Sequence, residues 1–125
     1  MTKVFLSTGF SDRNEKEIRE RFADMMRAWR MAFPDDEFEF VDNYSEPGPK
    51  GASRTWYLGR AIQKLGDCDV IFMDHDWSLH DGCCVECDVA KRYGIVIYEW
   101  RDVYNKYVEM NNQKFGWWIG IDLDL

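Results

Sequence analysis

A chain of 125 residues has the length of one domain, and 46% hydrophobic and 16% aromatic residues are ample for a compact core, which excludes a disordered chain. Sixteen basic against 23 acidic residues leave a net charge of −7, which argues against a nucleic-acid polymer or an anionic membrane as partner. No apolar run approaches the ~20 residues that span a bilayer. Met1 to Ser7 turns polar too soon for a signal peptide. The expectation is a cytoplasmic protein.

Lys3 to Gly9 is a short apolar run ending in Ser7-Thr8-Gly9, which predicts a buried strand and a turn. Ile18, Phe22, Met25, Met26, Trp29 and Phe33 then repeat on one face at helical spacing. Asp12, with Glu15 three residues on, predicts the cap of this helix, and Pro34 its stop. Glu37 to Val41 alternates charged and apolar residues, the pattern of a more exposed strand. Asn43 to Thr55 holds Pro47, Gly48, Pro49 and Gly51 and reads as a long loop of the kind that forms a functional flap. Trp56, Leu58, Ile62 and Leu65 predict a helix ending near Gly66.

Asp69 to Met73 is a buried strand running into the polar cluster Asp74 to Asp81. A helix from about Gly82 to Tyr93 stops at Gly94, and Ile95 to Tyr98 forms another strand. Val103, Tyr107 and Met110 mark a last helix, and the apolar tail Phe115 to Leu125 reads as a strand or a packed extension. Strands alternating with helices predict a single-domain α/β fold, a parallel sheet covered on both faces in flavodoxin-like order. Ligands of such sheets bind at the carboxyl ends of the strands. Three polar clusters fall there: Ser7 to Ser11, Asp74 to Asp81, and Glu99-Trp100-Arg101.

Cys68, Cys83, Cys84 and Cys87 make a poor disulfide framework, since three crowd into five positions. Free thiols in a reducing compartment are expected. His80, Cys83, Cys84 and Cys87 have metal-ligand chemistry, but they lack the paired Cys-x-x-Cys knuckles of structural zinc. Small buried side chains are the preferred reading, and no metal or other cofactor is expected.

The middle cluster carries the chemistry. Glu86 lies about one turn into a predicted helix, where the helix dipole favours its anion. An ionised Glu can attack an electrophilic sugar carbon. Gly82 permits close approach of a ligand, and Asp74, Asp76 and Asp81 on the preceding loop offer the second carboxyl that glycoside chemistry requires. The bland alternative is a solvated Glu86 and aspartates that cap a helix.

Three stretches, in order, resemble the nucleoside 2-deoxyribosyltransferase family and the related 2′-deoxynucleoside 5′-monophosphate N-glycosidases. Lys3 to Arg13 is similar to the first strand and its Gly-aromatic substrate loop, Asp69 to Met73 to the strand before the catalytic loop, and Gly82-x-x-x-Glu86-x-x-x-Ala90-x-x-x-Gly94 to the helix that bears the nucleophile. The resemblance covers roughly residues 3 to 100. It implies a flavodoxin-like fold and a retaining mechanism in which Glu86 attacks C1′ of a deoxynucleoside or its 5′-monophosphate. The base leaves, and water or a second nucleobase resolves the glycosyl ester. The family's acid falls at His80, with Asp81 one place later. Its orienting tyrosine is unmatched, because Phe5 and Leu6 stand there, and its base-contacting Asp is replaced near Leu58.

Arg54 and Arg60, with Lys50, are candidates to meet a 5′-phosphate. So are Ser7, Thr8, Gly9 and Ser11, beside Phe10. The resemblance also implies a polar residue entering from a neighbouring subunit, for which Asn112 is the nearest counterpart and Asn111 another, and hence a homodimer or higher homo-oligomer. Six tryptophans, two of them adjacent at Trp117-Trp118, suit base stacking or a subunit contact as well as a core. Two rival functions share these residues. Val4 to Ser7 and the Cys84-x-Glu86 helix also resemble TIR domains, some of which cleave NAD, and a nucleotide-binding module without catalysis accounts for the missing tyrosine and Asp.

Overall fold

A computed structural model describes residues 1–114. The elements are β1 (Thr2–Ser7), α1 (Glu15–Ala32), β2 (Phe38–Val41), α2 (Arg54–Gly66), β3 (Val70–Met73), a short 3-10 turn (Trp77–Leu79), α3 (Asp81–Arg92), β4 (Val96–Glu99) and α4 (Trp100–Lys114). The tail Phe115 to Leu125, with Trp117 and Trp118, lies outside the described residues. All strand pairs are parallel, in the order β2-β1-β3-β4, as the flavodoxin-like expectation requires. No described helix is long and apolar enough to cross a membrane.

The period of two along the strands sorts the core into two layers. Val4 and Leu6 of β1 and Val70 and Phe72 of β3 face α1 and α4, where they meet Ile18, Phe22, Met25, Trp29 and Val103. Phe5, Ile71 and Met73 face α2 and α3, against Ala61, Leu65, Cys83 and Ala90. Ser7 follows Phe5 by two residues, so the same alternation turns it toward α3.

One predicted cap moves. Asp12 adopts a left-handed backbone (φ 61°), and Asn14 caps α1 instead. The Asn14 side chain accepts from the Glu17 amide at 2.9 Å, and Glu17 reaches back to the Asn14 amide. Both Asp12/Glu15 and Asn14/Glu17 fit the capping pattern, and the turn at Asp12 decides between them. The predicted long loop is present between β2 and α2, where Ser53 caps α2 by accepting from the Trp56 amide.

Candidate active site

A cavity of about 450 Å³ opens at the carboxyl end of β1, walled by the loop after β1, the β2–α2 loop, α2 and the start of α3. Glu86 stands in its wall. The inward stripe of α3 is Cys83, Glu86 and Ala90, so the carboxylate takes a position that spacing alone assigns to the core. It is 8% exposed, and the Ser7 hydroxyl donates to its Oε1 at 2.8 Å. Burial pushes the carboxyl up to about 7, and the bond from Ser7 opposes that rise. Oε2 accepts no hydrogen bond from the described residues, and the residue borders the cavity.

His80, Asp81 and Gly82 border the same space. Asp81 is exposed at the first position of α3. His80 is held more firmly. Its Nε2 lies 3.2 Å from Asp76 Oδ2, and its ring covers Gly9 so closely that a β-carbon there would overlap it. Arg13 donates to the same Asp76 oxygen at 2.6 Å, to the Gly9 carbonyl and to the Thr8 hydroxyl. Asp76 therefore sits behind His80 and is not part of the cavity lining, contrary to its expected role toward substrate. Its Oδ1 is buried with no partner among the described residues.

Asp74 is also displaced from substrate binding. Its side chain is fully buried and accepts five hydrogen bonds: two from Arg21, one from the Thr8 hydroxyl, one from the His75 amide and one from the Trp100 indole. Burial alone would raise this carboxyl, but the donors outweigh it, Arg21 foremost, and hold it well below the usual carboxylate range. Asp74 ties β3 to α1, α4 and the loop after β1, and lies outside the cavity lining. The Thr8 hydroxyl borders the cavity but already gives its proton to Asp74.

The β2–α2 loop is a fixed wall rather than a free flap. Arg60 Nε donates to Asn43 Oδ1 at 3.0 Å, and its Nη2 to the Asn43 and Glu46 carbonyls, each at 2.8 Å. Asn43 Nδ2 returns a bond to the Tyr57 carbonyl. A β-carbon on Gly48 would come within 2.6 Å of the Tyr57 ring. Arg60 thus clasps the loop to α2 while also lining the cavity, so its donors are largely committed to the loop rather than free for the expected phosphate. Arg54 lines the cavity, is exposed, and makes no ion pair or side-chain hydrogen bond among the described residues. Phe10 and Ser11 line the opposite rim, with Phe10 packed at 5.2 Å on Tyr44.

Asn112 is exposed on α4, which packs beside α1, and it does not line the cavity of its own chain. All four cysteines are free. Among the described residues, no three His, Cys, Asp or Glu side chains come together as a metal would require. Burial pushes the Cys83 thiol up to about 12, so it borders the site as a neutral group. Sequence reasoning missed Arg21, left Arg13 without a role, and named Asn43 and Trp100 only as members of the long loop and of the Glu99-Trp100-Arg101 cluster. Arg13 lies inside the motif quoted for the first strand, whereas Arg21 carries no local signal.

No family model matches the chain, and no curated protein is similar to it. Among solved structures, a conserved protein from Enterococcus faecalis V583 superposes with a TM-score of 0.61 at 16% identity over 79% of this chain. The chain spans 62% of that protein's length. The glutaminase domain of Trypanosoma brucei CTPS, solved with acivicin, gives a TM-score of 0.44 at 18% identity over 79% of this chain and 36% of its own. The first of these likenesses shows the α/β fold.

Proposed function

We propose that the protein breaks the N-glycosidic bond of a deoxynucleoside or its 5′-monophosphate, with Glu86 as nucleophile. The observation that carries this reading is a buried carboxylate in the wall of a cavity, with one oxygen held by Ser7 and the other accepting no hydrogen bond from the described residues. Oε2 attacks C1′ and forms an ester. The C1′–N bond breaks, its electron pair goes to the base nitrogen, and a proton from the His80–Asp81 rim neutralises the departing base. Water or a second base then attacks C1′, which releases Glu86 and restores the configuration.

The cavity lies in the range of single small-molecule sites, ~300–1,000 Å³. Phe5, Leu6, Leu58 and Ala61 supply apolar surface to the cavity, against which a sugar or base can pack.

The test is incubation with each deoxynucleoside, each 5′-monophosphate and NAD, followed by chromatography for free base. Glu86→Gln is expected to abolish base release with the fold retained, because a neutral amide is not a useful nucleophile. Release by Glu86→Gln within a few fold of the parent, or no release from any substrate, overturns the proposal. Nicotinamide release alone would transfer the chemistry to the NAD reading.

A further inference from the structure

We propose that Ser7 is the positioning residue of Glu86, holding Oε1 so that Oε2 is the oxygen presented to the sugar, in place of the absent tyrosine. This rests on the reading of Glu86 as nucleophile. The placement follows from the sheet. Ser7 is the last residue of β1, paired in register with Met73, and the strand's alternation turns it to the α3 side. It is 1% exposed, so its hydroxyl is withdrawn from bulk solvent. Its one proton goes to Glu86 over 2.8 Å, across 79 residues of chain.

Among the described residues no other side chain donates to Glu86, although the Ser7 hydroxyl also faces the Cys83 thiol, whose anion it favours. On the α3 side stand His80, Asp81 and Cys83, none of which bonds the carboxylate. Across the cavity, Arg60 is committed to the loop, Glu46 pairs with Lys64, and Arg54 is at the exposed rim. Tyr44 and Tyr57 line the wall without reaching Glu86. Asp74 at the end of β3 is held by Arg21. Ser7 is thus the single donor that offsets the burial of Glu86.

Removing that donor leaves desolvation unopposed, so the carboxyl rises further above about 7. In Ser7→Ala, the acid limb of the kcat/KM profile should move up by about one pH unit, which is roughly a tenfold loss at pH 6 that shrinks by pH 9. Ser7→Thr should restore the parent profile. Ser7→Cys keeps the volume with a weak donor and should lie between, which covers the event that the alanine variant does not fold. Carbon-13 NMR of the Glu86 carboxyl reads the same midpoint without any substrate. An unchanged midpoint and acid limb in Ser7→Ala and Ser7→Cys overturns the proposal. If the midpoint moves but the parent releases no base, the glycosidic reading fails while the control of Glu86 by Ser7 stands.

Discussion

The imidazole of His80 occupies the space that a β-carbon on Gly9 would need, so the loop after β1 and the residue before α3 fit together only with glycine at position 9. Gly9→Ala must push the ring off Asp76 or shift the backbone. Forced overpacking of this kind costs about 1–3 kcal/mol. Urea unfolding of Gly9→Ala, His80→Ala and the double variant should show that the alanine at position 9 is far less harmful once the ring is gone. Additive effects of the two substitutions would mean that the contact does not constrain the site.

Asp74 is the most heavily bonded acid of the described site, and its partner Arg21 lies 53 residues earlier. Asp74→Asn leaves Arg21 facing a neutral amide that cannot accept all five bonds, and breaking a buried pair costs about 3 kcal/mol or more. The sign with pH follows from the lowered folded-state value. The pair stabilises the protein fully above the ordinary Asp value near ~3.9, and this contribution is lost as pH falls from there toward the folded value. Parent and Asp74→Asn should therefore converge in stability on acidification below about pH 4. A constant difference between them down to pH 2 would contradict the assignment.

The residues differ sharply in how far local sequence reveals their roles. The alternation of Val4, Phe5 and Leu6 and the helical stripe of α1 place both layers of the core, because burial imposes its period on neighbouring residues. The Gly82-x-x-x-Glu86 spacing singles out Glu86, but its burial between Cys83 and Ala90 is a feature of the packed helix that the sequence reading, with an ionised first-turn Glu, does not anticipate. Arg60 was not legible either. Its target is a set of backbone carbonyls on a loop, which leave no trace in side-chain identity. Asp74 and Asp76 look like site acids, and the cations that claim them, Arg21 and Arg13, lie on or just before α1. The cap of α1 was misplaced by two residues because two capping patterns overlap and only the backbone at Asp12 separates them.

Glu86 should make the protein less stable as pH rises. Its folded-state value, about 7, is above its ordinary 4.5, so the folded chain holds a proton that the unfolded chain has released. The stabilising contribution is complete below pH 4.5 and is lost as pH climbs to about 7. At ~1.4 kcal/mol per pH unit, the loss amounts to about 3 kcal/mol. Glu86→Gln has no proton to lose, so its stability should match the parent near pH 4.5 and exceed it near pH 8. Parallel stability curves for parent and variant across that range would show that Glu86 is not desolvated in solution.

The two arginines of the cavity wall separate phosphate recognition from wall geometry. Among the described residues Arg54, at the rim, makes no ion pair or side-chain hydrogen bond, whereas Arg60 has its donors on the Asn43 and Glu46 carbonyls and Asn43 Oδ1. Arg54→Ala should raise KM for a 5′-monophosphate about tenfold or more and leave the free deoxynucleoside nearly unchanged, since a charge-assisted bond to phosphate is worth ~1.5–3 kcal/mol. Arg60→Ala should release the β2–α2 loop. Its signature is faster proteolysis between Asp42 and Ser53 and an equal loss on both substrates, because a wall displaced by an ångström misplaces either sugar. Arg60→Lys should not rescue it, because one ammonium cannot reproduce a planar fork that grips three carbonyls and a side-chain amide. If Arg60→Ala instead harms only the monophosphate and leaves the loop resistant to protease, Arg60 contacts the phosphate itself and the wall stands without it.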